Sequence, residues 1–176
     1  MIQHLRAEGD DVTGWYYNPN IYPPEEARLR WQALTQASLA LGLRLLPLEP
    51  ETEPADFLLA LAAGGESRCR TCYQLRLEAT ARKAKEKGFG AFSTTLLISP
   101  HQDLEAIREI GERAGAKHGV QFRFVDLRHR HDESRGRAES LGLYRQNYCG
   151  CMFSDLERSQ ARASRAISRA RRKPAP

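Results

Sequence analysis

Four cysteines fall in two close pairs, Cys69-Arg70-Thr71-Cys72 and Cys149-Gly150-Cys151, and these residues have the types and spacing to do chemistry. A CxxC entering a helix can aim two thiolates at one ion, and Gly150 gives the second pair a tight backbone. Two distant segments must converge for the pairs to act together. Four sulfurs so gathered suit tetrahedral zinc or a [4Fe–4S] cluster, and spacing does not choose between them. Two other readings stay open. A CxxC alone can be a redox dithiol, because a helix N-terminus lowers the pKa of its first cysteine. All four can instead be small buried hydrophobes, although Arg68, Arg70 and Arg145 nearby make an inert core placement less attractive.

The remaining chemical signals are weaker. His101 follows a Ser-Pro turn, and His129 and His131 sit in a polar stretch after a strand; none has metal-motif spacing to a cysteine, so a surface role is the simpler reading. Tyr16, Tyr17, Tyr22, Tyr73, Tyr144 and Tyr148 can stack on bases if exposed, but such side chains more often pack in a core. No GxxxxGK[ST] loop or GxGxxG fingerprint occurs, so nothing points to a nucleotide cofactor.

A chain of 176 residues suffices for one ordinary domain, and its 41% hydrophobic and 28% charged content argues against wholesale disorder. No stretch approaches the roughly 18 consecutive apolar residues of a membrane span, and nothing after Met1 reads as a signal peptide. A cytoplasmic location follows as the default, with thiols kept reduced and no disulfide framework. The net charge of +5 is uneven. Seven of the 27 basic residues lie between Arg158 and Lys173 with none of the 22 acidic ones, leaving 20 against 22, or −2, in the rest. Such a tail can attract phosphate backbones or simply aid solubility.

The elements that must position the cysteines follow from periodicity. MIQHLRAEGD reads as the last turns of a helix ending at Gly9, and VTGWYY as a short strand closed by Asn18-Pro19-Asn20. Residues 25–41 form an amphipathic helix with acidic residues at its start and Gly42 at its end. LRLLPLE is a strand, residues 50–63 a short helix, and Gly64-Gly65 a break before Cys69. A helix from about Cys72 to Lys87 buries Leu75, Leu77, Ala79, Ala81 and Ala84; FGAFSTTLLI is a strand; about 101–117 is a helix; VQFRFVDL is an alternating strand. The polar 128–137 segment leads into a short helix ending near Gly142, and YRQNYCGCMF is a loop entering a last helix near Ser154. That helix carries a narrow apolar stripe of Leu156, Ala163, Ile167 and Ala170, and its end beyond Lys173 frays. Strands alternating with helices predict an α/β fold, a mostly parallel sheet with helices on both faces and ligands beyond the strand C-terminal ends. The expected division is a single metal-cluster domain over 1–157 and a basic helix and tail over 158–176.

Several blocks in order resemble the QueH-type epoxyqueuosine reductases. They are Gly14-Trp15-Tyr16-Tyr17-Asn18-Pro19-Asn20-Ile21, Cys69-Arg70-Thr71-Cys72-Tyr73 with Leu75-Arg76, Phe92 to Pro100, Asp126-Leu127-Arg128, and Gly142 to Cys151. The resemblance implies reduction of epoxyqueuosine in tRNA to queuosine, the last step in making that wobble base. It also implies a fold related to the adenine-nucleotide hydrolase-like (HUP-type) domains. A [4Fe–4S] cluster held by Cys69, Cys72, Cys149 and Cys151 is implied too, with no cobalamin and with a second iron ion in the full-length form. Family members begin with a strand followed by a CCAPC-like or CCAPD-like motif. Met1 falls inside the helix after it, so the chain is expected to lack that strand and those cysteines, through a late start or a natural shortening. Asp126 and Asp132, after the fourth strand, are then the acids left to serve as proton donor or ligand. Arg68, Arg70, Arg76, Arg145 and the basic C-terminal helix are expected to contact tRNA phosphates, with an electron donor of unknown identity and no membrane as partner. A four-cysteine zinc module that binds tRNA without catalysis is the rival reading.

Overall fold

Helix boundaries in the computed structural model, which describes residues 1–48, 54–63 and 67–172, follow the capping residues. After α1 (Ile2–Ala7), helix α2 (Pro24–Leu41) starts with Pro24 at its first turn and Glu25 and Glu26 beside its N-terminal dipole. Helix α3 spans Pro54–Ala63. In α4 (Arg68–Glu86), the Ser67 side chain accepts a hydrogen bond from the backbone N–H of Arg70. In α5 (Leu104–His118), Asp103 caps through the N–H of Ala106 at 3.0 Å, and Gly119 ends the helix with φ +66°. Two shorter pieces, a 3₁₀ turn at Arg128–Arg130 and α6 (His131–Ser140), lead toward α7 (Met152–Arg172).

The strands are parallel but much shorter than the alternating sequence predicts. β1 (Thr13–Gly14) pairs with β2 (Arg44–Leu45), and β3 (Ala91–Phe92) with β4 (Gln121–Phe122). The crossovers run through α2 and α5, as parallel neighbours require. The single sheet expected from the pattern is therefore two separate two-stranded pairs among the described residues. FGAFSTTLLI is not a strand throughout, because the Thr94 hydroxyl accepts from the N–H of Leu96 and Thr95–Ile98 coils into a 3₁₀ turn. That turn buries Leu97 completely, and the Leu97 carbonyl accepts from the N–H of Leu127 at 3.2 Å. The Gly64-Gly65 break, the start of the 50–63 helix and the end beyond Lys173 lie outside the described residues.

The main core lies between α4, α5 and the β3–β4 pair. Leu77, Leu97, Ile107 and Ile110 are its largest fully buried members, each contributing about 1.5–3 kcal/mol of burial free energy. Leu77, Ala79, Ala81 and Ala84 are buried as the periodicity predicts, whereas Leu75 is only half-buried. Within the expected stripe on α7, Leu156 and Ile167 do not pack, being 57% and 56% exposed.

Close approach of α5 to β4 depends on small residues. A Cβ built on Gly115 meets the Val120 carbonyl oxygen at 2.6 Å. Alanine there gains about 1 kcal/mol of helix propensity but loses about 1–3 kcal/mol to overpacking, so Gly115→Ala destabilises. Gly136 in α6 has open space around the same position, so Gly136→Ala gains stability. Urea unfolding with unchanged m-values tests both signs.

Candidate functional site

Both cysteine pairs stand at the start of a helix. Cys69 and Cys72 lie in the first turns of α4, so the CxxC is helical rather than a loop leading into a helix. Cys149 and Cys151 immediately precede α7. Cys69 and Cys149 are exposed, Cys72 is half-buried and Cys151 is buried. The two pairs are neighbours: burial pushes the Cys72 thiol up, Arg76 opposes this, and the charges of Cys149 and Cys69 raise it further. Arg68 ties the two helices together, bonding Glu157 at 2.6 Å and lying 5.7 Å over the Phe153 ring. The salt bridge raises the Arg68 pKa, despite opposing burial, and Cys151 and Cys69 add to the rise.

The second pair has a polarised electronic arrangement. The Cys149 and Cys151 sulfurs are 3.6 Å apart, the Ser154 hydroxyl is 3.0 Å from Cys149, and the Ser154 N–H donates to the Cys151 sulfur at 3.4 Å. The Cys151 thiol bonding to Cys149 lowers the latter to about 5; burial opposes the shift and Ser154 reinforces it. The same bond, with burial, pushes Cys151 far up. The direction is toward a more acidic Cys149 at the surface and a less acidic Cys151 beneath it.

A buried ion pair holds this segment in place. Arg30 on α2 donates from Nη1 to the Cys149 carbonyl at 3.0 Å and from Nη2 to the Tyr148 carbonyl at 2.9 Å. Its Nε bonds Glu26 at 2.8 Å, with side-chain exposures of only 10% and 8%. The Tyr144 hydroxyl donates to the other Glu26 oxygen at 2.5 Å; burial and this bond push that phenol up to about 12. Gly150 has φ +110°, and a Cβ there would meet Ile21 at 2.9 Å and the Arg30 guanidinium at 3.0 Å. Only glycine fits this turn. Its carbonyl accepts from the N–H of Tyr22 at 2.8 Å, and the Tyr148 hydroxyl donates to the Tyr22 carbonyl at 2.6 Å. Arg76 bonds the Asn18 side chain, completing a cradle of three distant segments around the thiols.

The model of the family described as epoxyqueuosine reductase QueH matches residues 1–157. This chain belongs to the QueH family. Among curated QueH proteins named epoxyqueuosine reductase, that of Dehalococcoides mccartyi is 37% identical over 157 residues, covering 89% of this chain and 86% of its own. That of Thermotoga maritima is 37% identical over 178 residues, covering 97% and 90%. That of Helicobacter pylori is 37% identical over 159 residues, covering 83% of this chain and 42% of its own.

One expectation drawn from the QueH resemblance is corrected. Among the described residues no group of three or more histidine, cysteine, aspartate or glutamate side chains is arranged to hold a metal ion. Among the described residues the cysteines therefore do not present the donor set of a [4Fe–4S] cluster or of a zinc ion. The physical reason lies in the thiols' partners: Cys149 and Cys151 are turned toward each other and toward Ser154, and Cys72 toward Arg76. Proximity of two pairs is not convergence on one point.

The other expected site residues are scattered. Asp126 is exposed and clamped by Arg128 at 2.6 Å, which lowers its carboxyl to about 2, so it is an ionised anchor at neutral pH and not a ready proton donor. Asp132 is 94% exposed on α6 beside His131. His101 and His129 are exposed, and the hydroxyls of Tyr16 and Tyr73 serve internal hydrogen bonds. Arg68, Arg70 and Arg76 share α4 with the first pair, and Arg145 precedes the second. Glu26, Arg30 and the thiol contact of Ser154 escape sequence reasoning, because Glu26 and Arg30 at i,i+4 look like any surface helix pair until their burial is known.

Removing Arg30 leaves Glu26 buried without its partner. Arg30→Met is expected to cost about 3–5 kcal/mol in urea unfolding, and adding Glu26→Gln to recover part of that loss. A loss no larger than that of an exposed pair, about 1 kcal/mol or less, contradicts the anchoring role. Cys149 gives a second test. Because its pKa is lowered, the thiolate persists as pH falls to about 5, so iodoacetamide labelling holds steady above that pH and declines below it. Mass spectrometry should find the label on Cys149 before Cys151; onset near the ordinary value of about 8.5 contradicts the assignment.

Proposed function

We propose that this protein reduces epoxyqueuosine in tRNA to queuosine, the last step in making that modified wobble base. The observation that carries the reading is the family match across residues 1–157. The convergence of segments supports it: Asn18 meets Arg76, and Tyr22 meets Gly150, beside all four cysteines. Removing an epoxide oxygen to leave an alkene consumes two electrons and two protons and releases water. An external electron donor supplies the electrons, and the thiol face is where the reacting nucleotide docks. A wobble base must leave its stack to reach that face, which costs less in a loop than in a duplex.

Arg68, Arg70, Arg76 and Arg145 are assigned to phosphates at the mouth of this site. The partner of Arg145 is Glu139 at 3.4 Å, both side chains are exposed, and such a pair opens at little cost. The parallel pairs with helical crossovers support a HUP-type fold for residues 1–157. No helix among the described residues is long and apolar enough to cross a membrane. A tRNA substrate and reduced thiols support a cytoplasmic setting.

The test supplies purified protein with tRNA bearing epoxyqueuosine and an artificial low-potential donor under anaerobic conditions, then analyses the nucleosides by mass spectrometry. Loss of one oxygen to give queuosine is expected, falling to background in Cys69→Ala and Cys149→Ala. Binding of the tRNA with epoxyqueuosine left intact would instead mark a protein that recognises tRNA without this chemistry.

A further inference from the structure

The arginines around the thiols all have partners within the protein: Arg68 with Glu157, Arg70 with Glu109, Arg76 with Asn18 and Arg145 with Glu139. A phosphate has to displace those partners. Helix α7 differs beyond Glu157, because no acidic residue follows in the sequence. Arginines recur there at 158, 162, 165, 169 and 172, and intervals of four and three residues set these positions along one side of a helix. The helix continues unbroken to Arg172, and every side chain described between Ser159 and Ser168 is exposed, including Arg162 and Arg165.

The root of this row lies at the thiol site. Arg158 bonds Asp155 at 2.6 Å and lies 4.6 Å over the ring of Tyr148, the residue before Cys149. From Arg158 to Arg165 the helix rises about 10 Å, a line of cations leading away from the place where the base reacts. The remainder of the chain carries a net −2, so this segment makes the protein basic.

We propose that α7 beyond Glu157 is an electrostatic arm that grips the tRNA phosphate backbone next to the reacting nucleotide. The inference rests on the reading of the protein as a tRNA-modifying reductase. Charge complementarity selects a nucleic acid: a linear row of guanidinium groups matches a linear polyanion. A membrane surface fits less well. The apolar residues beyond the root are alanines and the single Ile167, without the Trp, Phe and Leu that anchor an interfacial helix. Phosphate contacts remote from the epoxide bind ground state and transition state alike, so losing them raises KM more than it lowers kcat.

The test uses the full chain with R162Q/R165Q and R162K/R165K, measuring tRNA affinity against salt, steady-state kinetics, and sedimentation with phosphatidylglycerol vesicles. For the glutamine variant the slope of log K against log salt should shrink by about 0.7–0.9 per arginine, with the kinetic loss falling on KM. The lysine variant should restore the slope, since a phosphate contact needs the charge alone. Unchanged affinity and slope in R162Q/R165Q overturn the arm. Vesicle binding that the glutamine variant abolishes while its tRNA affinity stands overturns it in favour of a lipid surface. Absence of turnover by the wild-type chain would count against the functional reading, while the affinity measurements still decide the arm.

Discussion

Arg30 makes the bonds on which the Cys149-Gly150-Cys151 turn depends. Its guanidinium has five donor hydrogens in a rigid fork, and it uses three nitrogens: two on consecutive carbonyls of the turn and one on Glu26. Burial makes the arrangement decisive, because an unpaired charge in that position costs several kcal/mol whereas the complete set is satisfied. Tyr144 closes the remaining side of Glu26, so the carboxylate reads both the start and the end of the Tyr144–Cys149 segment. The left-handed Gly150 is the geometric counterpart of this anchor, since the carbonyls face Arg30 only if the chain turns where a side chain has no room.

Everything chemically distinctive about the site follows from that placement. Once the turn is fixed, the Cys149 and Cys151 sulfurs lie against each other, and their shared hydrogen bond draws the Cys149 pKa down and the Cys151 pKa up. The first pair arrives by a separate route, in the N-terminal turns of α4, whose buried face packs on α5. Arg68 to Glu157 and Arg76 to Asn18 then tie α4 to the other two segments. The site is therefore a junction of three elements, each with its own reason for being where it is, joined by arginine side chains that cross between them.

The sequence made the helices legible and the strands much less so. Gly42 marks its helix end in sequence as clearly as in structure, because caps are local chemistry, whereas the Asp103 cap moves the start of α5 from about 101 to Leu104. Strand length depends on what lies alongside, and where the sequence reads as a strand the Thr94 hydroxyl caps a 3₁₀ turn. Cysteine spacing implied that the two pairs meet, but not the direction of each sulfur, which is set by Ser154, Arg76 and the Arg30 anchor. Arginines are opaque for the same reason: Arg70 and Arg162 look alike in sequence, yet one bonds Glu109 and the other stands exposed on α7.

The anchored turn brings the two cysteine pairs into one site. The most direct measurement is cross-linking of the native protein with a short bifunctional thiol reagent such as dibromobimane, followed by peptide mass spectrometry in the wild type and in Arg30→Met. The account predicts bridged peptides joining the Cys69–Cys72 segment to the Cys149–Cys151 segment, and their loss when the anchor is removed from a protein that is still folded. Bridges confined to Cys69–Cys72 and to Cys149–Cys151, in a wild-type protein whose thiols all react, would contradict it.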